Sequence, residues 1–444
     1  MRMQLKDSRA VRVLPLRRRL MAASCALLSA AAVHAEESND QKADQGILGR
    51  LLDGVSMDTA LAYYHEDGRV QAVEPVVDVN KAFANGQSLN LNATFDVLSG
   101  ASHNGALTSR QPQTFASPSG TSLIGAKHIY TVSPGQYPVD PNYSDVRGAA
   151  GVNWDVPLTR LTSINLGGKI SGEDDFISAT LNASIAHDFN EKNTTLSFGV
   201  SNEFDRLSPI GGTPVAGSDY TLFEKTGNKT KDGVEALLGV TQVMTQNWIT
   251  ELNFSVDRFK GYLNDPYKIA SILDSAGNTT GYVYESRPEQ RTRKSVFLEN
   301  RAALDQFSAA LSLRYMQDNW QIRSDTVELR PRWTLSDRNQ YIEPTVRWYK
   351  QTAAYFYTPW LSNAAQVPEF QSSDERLGAF HALTYGIKYA HKVGEQQAIR
   401  GSELSVRVEY YQQTFRQPEA LASLQGLDLL PPLKAILVQI GWRF

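Results

Sequence analysis

Charged residues in the C-terminal half fall into a period-two pattern. Arg314, Glu328, Arg330, Arg332, Glu343, Arg347, Lys388, Arg407, Glu409 and Arg443 each alternate with apolar or aromatic neighbours. In a strand, alternation puts successive side chains on opposite faces, so the charges share one face and the aliphatic residues the other. A face of mixed Arg and Glu has two physical uses. It can stiffen a wall through ion pairs, or, where Arg is in excess, form a constriction that selects small anionic solutes. Carboxylates also cluster at Glu173-Asp174-Asp175 and, opening a long loop, at Asn202-Glu203-Phe204-Asp205. Oxygen ligands of this kind suit a loop-bound Ca2+, although acids in turns more commonly serve only solvation. No other metal and no cofactor is implied.

Catalytic arrangements are not evident. His65, His103, His128, His187, His381 and His391 show no H-x-x-x-H spacing, and no Gly-x-Ser-x-Gly elbow occurs. A phospholipase-type barrel needs a Ser–His pair on its outer wall. Only His187 and His381 fall on that provisional face, and spacing singles out no serine near them. The plainer reading is a pair of interfacial histidines, and we expect no enzyme.

The elements that would position these groups are strands. At the C-terminus Ile436, Val438, Ile440, Trp442 and Phe444 alternate with Gln439, Gly441 and Arg443, and only Leu437 breaks the pattern. A free apolar edge of this kind would aggregate in water. As the closing strand of a membrane barrel it meets lipid, and its terminal Phe resembles the signal read by the bacterial barrel assembly machinery. Comparable segments lie at about 57–66, 70–83, 87–98, 143–157, 161–171, 175–189, 193–204 and 231–245. The series continues at 248–262, 292–304, 307–318, 321–335, 340–352, 374–390, 401–415 and 431–444. In the third, Leu89, Leu91, Ala93, Phe95 and Val97 alternate with Ser88, Asn90, Asn92, Thr94 and Asp96, a ladder suited to a wet lumen. The long connections 99–142, 205–230, 263–291, 353–373 and 416–430 all follow odd-numbered segments, while those after even-numbered segments are short, apart from a moderate one at 391–400. The prediction is an all-β protein: a transmembrane antiparallel up-and-down β-barrel of about sixteen strands, with long extracellular loops and short periplasmic turns.

The N-terminus fits export. Arg2 to Arg19 is basic, Leu20 to Val33 is a short apolar run, and Val33-His34-Ala35 offers a cleavage site. This predicts a signal peptide over 1–35, a periplasmic segment over 36–56 with Ile47, Leu48, Leu51 and Leu52 at helical spacing, and the barrel over 57–444. Cys25 is the sole cysteine and leaves with the signal. Residues 1–35 hold seven of the 44 Lys/Arg and one of the 47 Asp/Glu, so 37 basic and 46 acidic residues remain, a net −9. That balance argues against nucleic acid as a partner and leaves the lipid bilayer of the bacterial outer membrane.

Three stretches carry a family resemblance: Tyr63-Tyr64-His65-Glu66-Asp67-Gly68-Arg69-Val70 continuing to Pro75, Asp96-Val97-Leu98-Ser99-Gly100-Ala101-Ser102, and Lys260-Gly261-Tyr262-Leu263-Asn264-Asp265-Pro266-Tyr267-Lys268. Together they resemble a DUF3570-like family of Gram-negative outer-membrane proteins of unknown function. The resemblance implies compartment and a barrel, and supplies no substrate or catalytic residue. On this reading the chain is a channel or transporter for a small polar solute, with the inward arginines setting a preference for anions. The alternatives are a plugged barrel that scaffolds or exports periplasmic or surface partners and, behind it, a phospholipase-type enzyme. The three stretches are expected at the outer rim, where they could form a gate.

Overall fold

The computed structural model describes residues 54–117, 129–335, 339–362, 366–393 and 402–444. The expected signal peptide, its cleavage site and the apolar residues at 47–52 lie outside these.

Strands β1 (Val55–Glu66), β2 (Val70–Ala82) and β3 (Ser88–His103) open the wall. β4 (Gln113–Ala116) and β5 (Ile129–Val132) pair within the loop that follows. The wall resumes with β6 (Val139–Pro157), β7 (Thr162–Gly172), β8 (Phe176–Phe189) and β9 (Thr194–Leu207). Two-residue strands β10 (Thr213–Pro214) and β11 (Lys225–Thr226) sit in the next loop. After β12 (Lys229–Thr245) and β13 (Trp248–Gly261) comes a further loop hairpin, β14 (Ile269–Leu273) and β15 (Thr279–Tyr284). The wall ends with β16 (Gln290–Leu304), β17 (Phe307–Asp318), β18 (Arg323–Thr334), β19 (Gln340–Gln351), β20 (Phe380–Val393), β21 (Ser402–Phe415) and β22 (Leu433–Arg443).

Sixteen of these close into one antiparallel barrel, sealed where β1 pairs with β22 from Asp58↔Arg443 to Glu66↔Ala435. All sixteen expected segments are present in order. Closure leaves no free sheet edge, which an apolar strand such as β22 requires. Tight turns join one end: Phe83 N–H donates to the Gln87 carbonyl around Asn85-Gly86, and Asn247 N–H to Thr245 Oγ1. All five long loops leave from the other end.

Several boundaries move for local reasons. β3 and β6 run past the expected ends, because Ser102↔Asp140 and His103↔Val139 extend their ladder. Ser99–Ser102 are therefore strand rather than loop. Asn202–Asp205 likewise lie inside β9, paired to both β8 and β12. Residues 375–377 form a 3-10 turn instead of starting the fourteenth wall strand, because Asp374 caps it by accepting from Arg376 N–H.

The wall inverts the usual arrangement of polarity. Ile177, Leu181, Leu196, Phe198, Leu238 and Phe254 are exposed on its outside. Trp154, Phe189, Trp248, Trp333 and Trp442 are exposed at strand ends beside the short turns, the placement of an interfacial girdle. No helix among the described residues is long and apolar enough to cross a membrane. The buried apolar core lies mostly in the long loops.

Candidate functional site: the lid and the lumen wall

The hairpin β14–β15 organises the outer loops. Every residue of Ile269–Leu273 is buried, although the segment belongs to a loop. Ile269 N–H donates to the Asn104 carbonyl (2.9 Å) and Leu273 N–H to that of Leu361 (2.7 Å). Tyr284 N–H donates to Ser218 O, and the Ala276 carbonyl accepts from Ser423 N–H (3.1 Å). One hairpin thus meets the loops before β6, β12, β20 and β22. Apolar clusters repeat the connection: Phe115, Tyr130, Ile269 and Tyr284 in one, Leu107, Leu273, Leu424 and Leu429 in another. Loops that rise from all around a ring and pack on one element must cover the mouth. We call this assembly the lid.

An ionic latch lies in the lid. Asp374, fully buried, pairs with Arg287 (2.8 Å) and Arg376 (2.6 Å). Arg287 also meets Glu285 (2.7 Å), which accepts from the Ser372 hydroxyl (2.6 Å) and from Asp265 N–H. Arg376 reaches Asp265 (2.6 Å). Next in sequence, Glu375 holds Arg69, from the β1–β2 turn, and accepts from the Tyr137 hydroxyl (2.6 Å). Tyr267 donates to Asp175 in the β7–β8 turn, and Lys268 to the His103 carbonyl. Burial opposes the Asp374 charge, yet Arg376 and Arg287 hold its carboxyl well below the usual carboxylate range. Burial likewise opposes the charge of Glu375, but His103, Arg69 and Tyr137 leave it lowered. At Glu285 burial prevails over Arg287 and raises the pKa to about 7.

The three resemblance stretches meet here. Arg69 comes from the first and Asp265, Tyr267 and Lys268 from the third. In the second, Gly100 has φ +127°, and a Cβ there would collide with the Arg69 carbonyl. The glycine lets β3 approach close enough for Ala101 N–H to donate to that carbonyl (3.1 Å), which fixes the backbone carrying Arg69. A cavity of 430 Å³ beside the latch is lined by Glu173, Asp175, Lys231, Asp265, Tyr267 and Arg376, among others.

Below the lid, strand register places the ten expected charges on the lumen face. Arg332 pairs with Glu343 (2.6 Å), which also meets Arg407 (3.8 Å), and Arg407 meets Glu409 (3.1 Å). Glu328 is shared by Arg330 (3.0 Å) and Arg347 (3.7 Å). Lys388 lies 3.7 Å from Glu403, Arg443 lies 2.6 Å from Asp58, and Arg314 makes no ion pair among the described residues. Ile436, Ile440 and Trp442 are exposed on the opposite face with Val438 in phase; the Phe444 ring packs on Trp442, and its backbone bonds Met57 in both directions. His187 meets Thr162 Oγ1 (2.8 Å) and packs on Phe189. No group of three or more His, Cys, Asp or Glu among the described residues is arranged to hold a metal; Asp175 is engaged by Tyr267, and Asp205 by Lys231 (2.8 Å).

Sequence reasoning missed Glu285, Arg287, Asp374, Glu375 and Arg376. The local signal was legible: Ile-Ala-Ser-Ile-Leu and Tyr-Val-Tyr flank Asp274-Ser-Ala-Gly277, a hairpin pattern, and Ser372-Ser373-Asp374 offers a cap.

A family model described as "Protein of unknown function (DUF3570)" matches residues 17–444. The chain belongs to this family. No curated protein matches the DUF3570 chain. Among solved structures it is similar to the siderophore receptor PirA from Pseudomonas aeruginosa, with TM-score 0.38 and 8% identity over 81% of this chain. It spans just over half, 56%, of that receptor. The outer membrane protein opdK from the same organism gives TM-score 0.40 and 9% identity over 88% of this chain and 98% of that one. At this level the likenesses carry nothing about cargo, and the fold rests on the strand pairing itself.

Proposed function

We propose that this DUF3570 barrel sits in a bacterial outer membrane and passes small polar solutes under the control of its lid, with no catalytic role. The exposed apolar belt and its aromatic girdle support the location, since such a surface needs lipid. The buried Asp374 latch carries the gating reading. Charges taken out of water are costly unless paired, and Asp374 is the carboxylate that Arg287 and Arg376 share, so its loss weakens two ion pairs at once. Closure by a dense core also favours a second reading, a permanently plugged barrel that docks partners.

Planar-bilayer recordings separate the two. The full chain should show brief, infrequent openings, and Asp374→Ala should lengthen them. If both proteins are silent while each remains a folded, heat-modifiable barrel, the channel reading fails and the docking reading stands.

A further inference from the structure

The register sorts the lumen charges into two opposed arcs. From β1 to β13 the inward positions are rich in carboxylates, and several of these have only neutral partners. Asp78 accepts from Asn90 (2.7 Å), Asp155 from Asn165 (2.9 Å) and Glu251 from Asn253 (2.7 Å), while Asp188 accepts from Thr195 (2.8 Å) and lies 3.7 Å from Lys192. Amides and hydroxyls satisfy a carboxylate without cancelling its charge. Glu235 lies on the same face, since Glu235↔Asp257 is a register pair. Inward cations on this arc are few, and two of them, Arg147 and Lys231, are bound to Asp96 and Asp205.

From β16 to β22 the balance reverses. Three carboxylates there are each shared by two arginines: Glu299 by Arg301 and Arg330, Glu328 by Arg330 and Arg347, Glu343 by Arg332 and Arg407. Arg314 adds an unshared charge on the same face, opposite Phe297 and Thr326 in the ladders. Arg–Asp pairs mark both seams between the arcs: Arg293–Asp257 at β16–β13 (2.7 Å) and Arg443–Asp58 at β22–β1 (2.6 Å). An anion-selecting wall would need the basic character all round. Here a field runs across the lumen from the arginine arc to the acidic arc.

We propose that the lumen favours dipolar solutes, small molecules with a cationic and an anionic group at opposite ends, aligned between the arcs. Such a solute gains at both walls, whereas a monopolar ion is attracted by one and repelled by the other. The proposal rests on the channel reading and names its substrate class.

The test is isotope-labelled uptake into proteoliposomes of wild type and Asp374→Ala at zero membrane potential. The probes are glycine betaine (dipolar), choline (cation), isethionate (anion) and arabinose (neutral). We expect betaine to enter several-fold faster than choline or isethionate. Arg314→Gln should shift the preference about twofold towards choline, and Glu235→Gln about twofold towards isethionate. Arabinose uptake with choline or isethionate equal to or ahead of betaine overturns the proposal and leaves the channel intact. If even arabinose stays out, the channel reading fails. Saturation-transfer NMR on the detergent-solubilised full chain then decides: signal from betaine alone supports dipolar recognition, and equal signals or none overturn it.

Discussion

The wall and the lid are built on opposite principles. The wall keeps its apolar side chains outside and its charges inside, and is held by a closed ladder of backbone hydrogen bonds. The lid is ordinary protein: Leu273, Phe115, Leu424 and Tyr284 are buried in clusters, and its charges are paired at short range. A closed ladder fails only as a whole, whereas a small core over a mouth can open by itself. The two regions should therefore be separable by perturbation.

The sharpest separation should come from Asp374→Ala. It leaves Arg287 with Glu285 and Arg376 with Asp265, at a cost of about 3 kcal/mol, the low end for breaking a buried pair. Limited proteolysis should then cut around 269–284, while the heat-modified shift of the barrel in gel electrophoresis stays unchanged. Simultaneous loss of both would erase the distinction. Leu273→Ala tests the lid through packing alone, at about 2–5 kcal/mol for a cavity of that kind. It should raise cleavage in the same hairpin without changing barrel melting.

Acidity should move the lid and leave the wall in place. Closed, Glu285 keeps its proton up to about 7, whereas a solvated carboxyl releases it earlier. That part of lid stability is present at acid pH and is lost as pH rises from the ordinary carboxylate range to about 7, by on the order of 1 kcal/mol per unit. Asp374 and Glu375 are lowered, so their part is lost as pH falls through the carboxylate range. Protease protection of the lid should peak on the acid side of neutrality; Glu285→Gln should flatten its decline towards pH 8. The smallest effect is expected at Arg443→Gln. Its partner Asp58 is about half exposed, so melting should change by less than about 1 kcal/mol.

The same contrast explains what could be read from the sequence. Leu89 to Val97 and Ile436 to Phe444 declare a wall because each strand has an apolar outer face and a polar inner one, and period two survives. Ile269–Leu273 is buried on both sides and shows no alternation. The Arg69–Glu375 contact joins residues 306 positions apart, which no local pattern encodes. Asn202–Asp205 looked like a loop because its acids suit a turn, but they are inward-facing or paired wall positions. Charge density marks the arginine arc in the sequence, while Asp78, Asp155 and Glu251, equally regular, went unmarked.

The most direct test of a movable lid is to tie it shut. Ser286 and Gln371 exchange both backbone hydrogen bonds (2.9 and 2.7 Å) across two loops, a pairing with Cα atoms about 5.5 Å apart and within disulfide reach. With Cys25 the sole native cysteine, Ser286→Cys with Gln371→Cys can be locked and released in one bilayer. The account predicts that openings cease on oxidation and return on reduction. Unchanged openings in the verified disulfide form would contradict it.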